Sequence, residues 1–68
     1  MREYRLKAVM EFLARQRRYV TINEVAEGIG MSWNTAEKDL NYLKHEGYVK
    51  SFGSGSRRYF RIRRPTEI

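Results

Sequence analysis

Two short amphipathic segments lie within residues 21–47, separated by glycines and followed by a basic tail that reads as strand, glycine turn and strand. No other feature narrows the fold as much. Thr21 and Glu24 have the spacing of a capping box: the hydroxyl accepts from an exposed backbone N–H while the carboxylate reaches back to another. Ile22, Val25, Ala26 and Ile29 then supply the apolar face of a helix expected over about 22–28. Gly28 or Gly30 can provide the positive φ that turns the chain sharply out of it. Ser32 caps the next helix, expected over about 33–45, in which Ala36, Leu40 and Leu43 recur on one face. Gly47 suits the position just past its end, and Lys44 and His45 in the last turn favour the carbonyl end of its dipole.

The flanks complete the pattern. Residues 2–16 contain neither Gly nor Pro, and Leu6, Val9, Met10 and Leu13 mark the inward face of a first helix. Tyr4, Ala8 and Phe12 are expected to widen that stripe. Arg15, Gln16, Arg17 and Arg18 close it with positive charge. Tyr19 and Val20 favour an extended link that can add a short edge strand. After Gly47 the periodicity changes from helical to alternating. Residues 48–52 and 59–63 suit two strands of a hairpin over about 48–64, with Phe60 and Ile62 on one face and Tyr59, Arg61 and Arg63 on the other. Gly53, Ser54, Gly55 and Ser56 form its tip. Pro65 cannot donate to a ladder, so the strand should stop before it and residues 66–68 should fray.

At 68 residues the chain has room for one domain, and a domain this small hides only about 60% of its unfolded surface. Its net charge is +6, and the placement is informative. Residues 1–19 and 51–68 each sum to +4, whereas residues 20–50 sum to −2. Folding would bring the two basic ends together as a stripe suited to a polyanion.

Other chemistries find little footing. There is no cysteine and one histidine, His45, so neither a thiolate nor a mixed metal site is built, and no cofactor is expected. Ser32, Ser51, Ser54 and Ser56 have no base arranged beside them for nucleophilic attack. The Gly/Ser tip lacks the strand-to-helix setting and the Lys of a phosphate-binding loop. An enzyme is therefore not expected. No apolar run approaches the ~20 residues of a membrane span, and nothing resembles a signal peptide. Membrane partners are not expected, and the setting fits a cytoplasmic or nucleoid-associated protein.

The run Val20-Thr21-Ile22-Asn23-Glu24-Val25-Ala26, followed by Ile29-Gly30-Met31-Ser32, Thr35-Ala36, Leu40, Leu43 and Glu46-Gly47-Tyr48-Val49, resembles the winged helix–turn–helix family of small bacterial and archaeal transcription regulators. That resemblance covers nearly the whole chain. It implies an α+β fold of three helices followed by a two-stranded β-hairpin wing. It also implies binding of double-stranded DNA, with the third helix in the major groove.

Carried over residue by residue, the resemblance makes Asn34 and Lys38 the leading base-facing candidates, followed by Thr35 and Asn41. Asn reads adenine bidentately and Lys reaches guanine acceptors. Trp33 and Glu37 share the outer side. Trp33 can equally cap the core, and Glu37 can accept from a cytosine amino group or simply balance surface charge. Asp39 is expected to face away from the groove, toward the second helix or solvent. Ser32, Ser54, Ser56, Arg57 and Arg58 are candidates for the DNA backbone, as are Arg17 and Arg18 after the first helix. A homodimer on a palindromic site would add contact area, with Tyr4 and Phe12 as a candidate dimer surface. Two other functions stay open: nonspecific architectural or replication-associated DNA binding, and a winged-helix module that docks a protein partner. The subclass that grips left-handed duplexes is disfavoured, because the wing carries neither Trp nor Pro.

Overall fold

The chain folds into three helices and a three-stranded antiparallel sheet: α1 (Arg2–Gln16), β1 (Val20–Thr21), α2 (Ile22–Ile29), α3 (Trp33–His45), β2 (Val49–Phe52) and β3 (Tyr59–Ile62). The structure is a computed structural model that describes residues 2–55 and 57–63. The expectations placed on Ser56, Pro65 and residues 66–68 lie outside those residues. The architecture is the α+β winged helix–turn–helix arrangement, with one strand more than a simple hairpin.

That extra strand falls at Val20–Thr21, one residue later than Tyr19 and Val20 suggest. It pairs with β3, giving the order β1-β3-β2. Register explains the offset. Val20 lies opposite Phe60, and Ser51 opposes Phe60 from the other side, so alternation turns Val20 and Phe60 inward together. Both are fully buried.

Local chemistry fixes the helix ends. The Glu24 N–H donates to Thr21 Oγ1 at 3.1 Å, and the Thr21 N–H donates to Glu24 Oε1 at 2.9 Å, completing the capping box at the start of α2. Gly30, not Gly28, adopts the left-handed conformation that ends α2, at φ 88°, and its N–H donates to the Ala26 carbonyl. Its neighbour Met31 uses the same carbonyl at 2.9 Å. Ser32 caps α3 by accepting from the Thr35 N–H at 3.2 Å. At the wing, Gly53 has φ 92°, and a β-carbon there would lie 2.2 Å from the Arg57 carbonyl oxygen. Only glycine fits that turn.

The core gathers Val9 and Leu13 from α1, Ile22, Val25 and Ala26 from α2, Ala36, Leu40 and Leu43 from α3, and Val20, Val49 and Phe60 from the sheet. Fully burying a side chain such as Leu13 or Phe60 contributes roughly 1.5–3 kcal/mol, so this small set carries most of the fold. Phe12 packs against the core from its edge, its ring occupying the space where a β-carbon on Gly28 would sit 2.3 Å away. Tyr4 departs from the expected stripe: it is 80% exposed and does not join the inward face. Five residues separate it from Val9, which places it about 140° around the helix.

Candidate nucleic-acid interface

Helix α3 presents two chemically distinct sides. Ala36, Asp39, Leu40 and Leu43 are buried, whereas Asn34, Lys38 and Asn41 are exposed on the opposite face. The separation follows from spacing, because positions 34, 38 and 41 recur at four and three residues and form one stripe. Trp33, at the first turn, is 36% exposed. Ser32 and Thr35 satisfy each other in part: beside the capping bond, the Ser32 hydroxyl donates to Thr35 Oγ1 at 2.9 Å.

The wing is tied directly to this helix. Arg58 extends from the hairpin and distributes its guanidinium over three acceptors. Nε donates to the Gly55 carbonyl at 2.7 Å, Nη1 to Asn41 Oδ1 at 3.4 Å, and Nη2 forms an ion pair with the Glu37 carboxylate. The Arg58 side chain is only 19% exposed. A planar fork suits this arrangement, since one rigid group fixes both the turn and the turn's distance from α3. Three sequence candidates, Glu37, Asn41 and Arg58, thus meet at one point. Arg57 is exposed beside them, and its N–H closes the tip by donating to the Ser54 carbonyl at 3.1 Å. Ser54 is also exposed, while Ser56 lies outside the described residues.

The cations after α1 are arranged differently. Arg17 is exposed and holds a left-handed conformation at φ 55°. Arg18 instead turns to the start of α2, donating to Glu24 Oε2 at 2.9 Å and to the Tyr19 carbonyl at 3.2 Å. The Arg18 hydrogen bond, followed by that from the Thr21 N–H, holds the Glu24 carboxyl below its ordinary range. Neither arginine has a described bond to α3.

Asp39 requires a correction. It faces neither α2 nor solvent but α1, where Arg5 grips both of its oxygens, with Nε–Oδ2 at 2.6 Å and Nη2–Oδ1 at 3.0 Å. The hydrogen bond to Asp39, reinforced by its charge, raises the Arg5 guanidinium above its ordinary pKa. The pairing left a trace in the sequence. Asp39 stands three residues after Ala36 and four before Leu43, on the inward stripe, where a carboxylate needs a cation.

Charge on the outer stripe is therefore set by what the chain has already neutralised. Glu37 and Asp39, the two acids within α3, both face arginines from other elements. Lys38 is left exposed between two amides. A surface of amide groups and one cation, flanked by a basic wing, can hydrogen-bond base edges and meet phosphates. No group of three or more His, Cys, Asp or Glu positioned to hold a metal occurs among the described residues. No helix among them is long and apolar enough to cross a membrane.

Comparison with known proteins gives the same direction. No curated protein and no solved structure matches the chain. Residues 5–55 match the family model of the DeoR-like helix-turn-helix domain, from the first helix to the wing tip. The match spans most of the chain and takes in both faces of α3. This chain belongs to the DeoR-like helix-turn-helix domain family, a family of DNA-binding domains of transcription regulation and not of enzymes.

Proposed function

We propose that this chain reads duplex DNA in a sequence-selective manner as part of a transcription regulator, at cytoplasmic or nucleoid DNA. In this reading α3 enters the major groove. Asn34 and Lys38 approach base edges first, with Asn41 further along the same stripe and Thr35 and Trp33 at the entrance. Ser32 and Ser54 supply hydroxyls to the backbone, and Arg57 meets an adjacent phosphate from the wing. Arg17 adds a second cation after α1. Arg58 and Glu37 play a different part, holding the wing at a fixed distance from the reading helix.

One observation carries this proposal: the exposed Asn34–Lys38–Asn41 stripe lies beside a wing braced onto it by Arg58. The test is selection from randomised duplexes at physiological salt, followed by titration of the selected and scrambled sites. Asn34→Ala should lose about 1–3 kcal/mol of discrimination if it reads a base bidentately. Arg57→Ala should weaken both duplexes alike and lower the salt slope by roughly one unit. Equal loss on both duplexes for Asn34→Ala would exclude base reading by that residue. Tight binding with no selected consensus would support the architectural alternative instead.

A further inference from the structure

The face of α1 turned from the core has a regular composition that DNA binding does not use. Glu3, Lys7, Glu11 and Arg15 follow one another at intervals of four, all exposed, with Tyr4 and Ala14 exposed among them. None of these four charges makes an ion pair with a described residue. Tyr4, at 80%, is the most exposed of the large apolar side chains among the described residues. An open groove of about 500 Å³ runs along Glu3, Tyr4, Lys7, Ala8 and Glu11.

An alternating series of negative and positive charges has a special property: it complements itself when reversed. We propose that this face pairs with the same face of a second copy, the two α1 helices lying antiparallel about a twofold axis at the height of Val9. In that register Glu3 faces Arg15 of the second copy and Lys7 faces its Glu11, while Tyr4 lies over its Ala14. Symmetry then repeats each contact, as an isologous interface requires. The small Ala14 leaves room for the tyrosine ring, whose exposed apolar surface is covered by the pairing. Phe12 is not part of this face, since its ring is committed to Gly28.

The interface is modest. A helix of 15 residues is about 22 Å long, and one helix pair buries less than the ~800 Å² per partner of a standard interface. Association of the free chain is therefore weak and concentration-dependent. Two adjacent half-sites on a duplex would strengthen it by raising the effective concentration of the second copy. The association itself does not depend on the DNA reading.

Sedimentation equilibrium of the 68-residue chain without DNA tests the proposal. The mass should rise from monomer to dimer with concentration. Lys7→Glu should weaken that association roughly tenfold, because the twofold axis counts each changed contact twice. The double variant Lys7→Glu/Glu11→Lys distinguishes pairing between copies from charges that serve only pairs four residues apart within one helix. It restores both contacts between copies. Within one helix, however, it sets an acid four residues from Glu3 and a base four residues from Arg15, two repulsive pairs. Recovery of dimerisation in the double variant supports the antiparallel pair. A chain that stays monomeric at every concentration, or a double variant no better than the single, overturns it. Binding to a single half-site duplex, measured in parallel, should be unchanged in these variants, which separates this outcome from failure of the DNA reading.

Discussion

Helix α3 is held on two flanks by two arginines, and the bonds differ in kind. On the α1 flank, Asp39 is almost fully enclosed, with a side chain 3% exposed, and Arg5 covers it while remaining 39% exposed itself. On the wing flank, the cation is the more enclosed member: Arg58 is 19% exposed and Glu37 is 30% exposed. A buried carboxylate without its cation is costly, so the first bond is a condition of packing α1 against α3. The second bond joins a hairpin to a helix at the surface and sets their relative position. One chain thus uses the same pair of groups to secure its interior and to aim its wing. Helix α3 is left without an unpaired acid of its own.

This contrast predicts that damage on the inner side appears as lost stability, and damage on the wing side as altered binding. The largest effect belongs to the core between the two bonds. Leu40→Ala should cost about 2–5 kcal/mol, measured by urea denaturation, while the preferred duplex sequence of the remaining folded protein stays the same. Arg5→Met should come next. It strands the Asp39 carboxylate, but the Arg5 side of the bond is open enough for water to reach in. Its thermal midpoint should fall below that of Arg18→Met, whose salt bridge is exposed on both sides. Equal midpoints would mean that the α1 flank is no more demanding than an ordinary surface pair.

The sequence is most readable where one residue decides a local geometry. Thr21 with Glu24, Ser32 and the apolar stripes of α2 and α3 each depend on spacings of three or four residues within one element. Long-range pairings are less readable. Arg5 and Asp39 are 34 positions apart, and Arg58 and Glu37 are 21 apart, so only folding brings them together. Even so, Asp39 stands on the inward stripe, and its position demands a partner. The helix face makes that demand; it cannot name Arg5. Likewise, Arg58 looks free for phosphate because a hairpin tip projects its side chains, and nothing local indicates that α3 lies within its reach. Tyr4 is legible by the same counting: at about 100° per residue it lies on the side of α1 away from Val9 and Leu13, so its aromatic character and not its position suggests the inward stripe. Asn34 and Lys38 sit on the outer side, yet which base each would meet is a property of the duplex and not of this chain.

On the wing flank, Arg58→Lys keeps the charge and removes the fork. A lysine ammonium cannot span Gly55, Asn41 and Glu37 at once. Global stability should fall less than for Arg5→Met, because the substitution keeps a cation beside the Glu37 carboxylate. Duplex affinity should fall nonetheless, and the amides of the tip should exchange hydrogen faster. Glu37→Gln should loosen the same brace from the other end. If both variants bind DNA like the parent, the wing does not need to be braced to take part in binding.

The smallest effect concerns the capping box at α2, and its sign is fixed by the direction of one pKa. Glu24 titrates below the 4.5 of a free glutamate, first through the Arg18 hydrogen bond and then through the Thr21 N–H. A carboxyl depressed in the folded state stabilises the fold above its unfolded pKa, and that contribution disappears as pH falls through the folded value. The window therefore opens near the ordinary glutamate pKa and extends downward. Since Glu24 and Arg18 are 40% and 57% exposed, solvent and salt screen most of the gain. Glu24→Gln keeps an oxygen that can accept from the Thr21 N–H, so it removes charge while sparing the cap. Thr21→Ala removes the other half of the box and should cost about 1 kcal/mol. Urea denaturation from neutral pH down through the carboxylate range separates the two. The deficit of Glu24→Gln should shrink as acid protonates the parent, whereas the deficit of Thr21→Ala should persist. A Glu24→Gln deficit that does not change with pH would show that the carboxylate charge adds nothing beyond its hydrogen-bonding geometry.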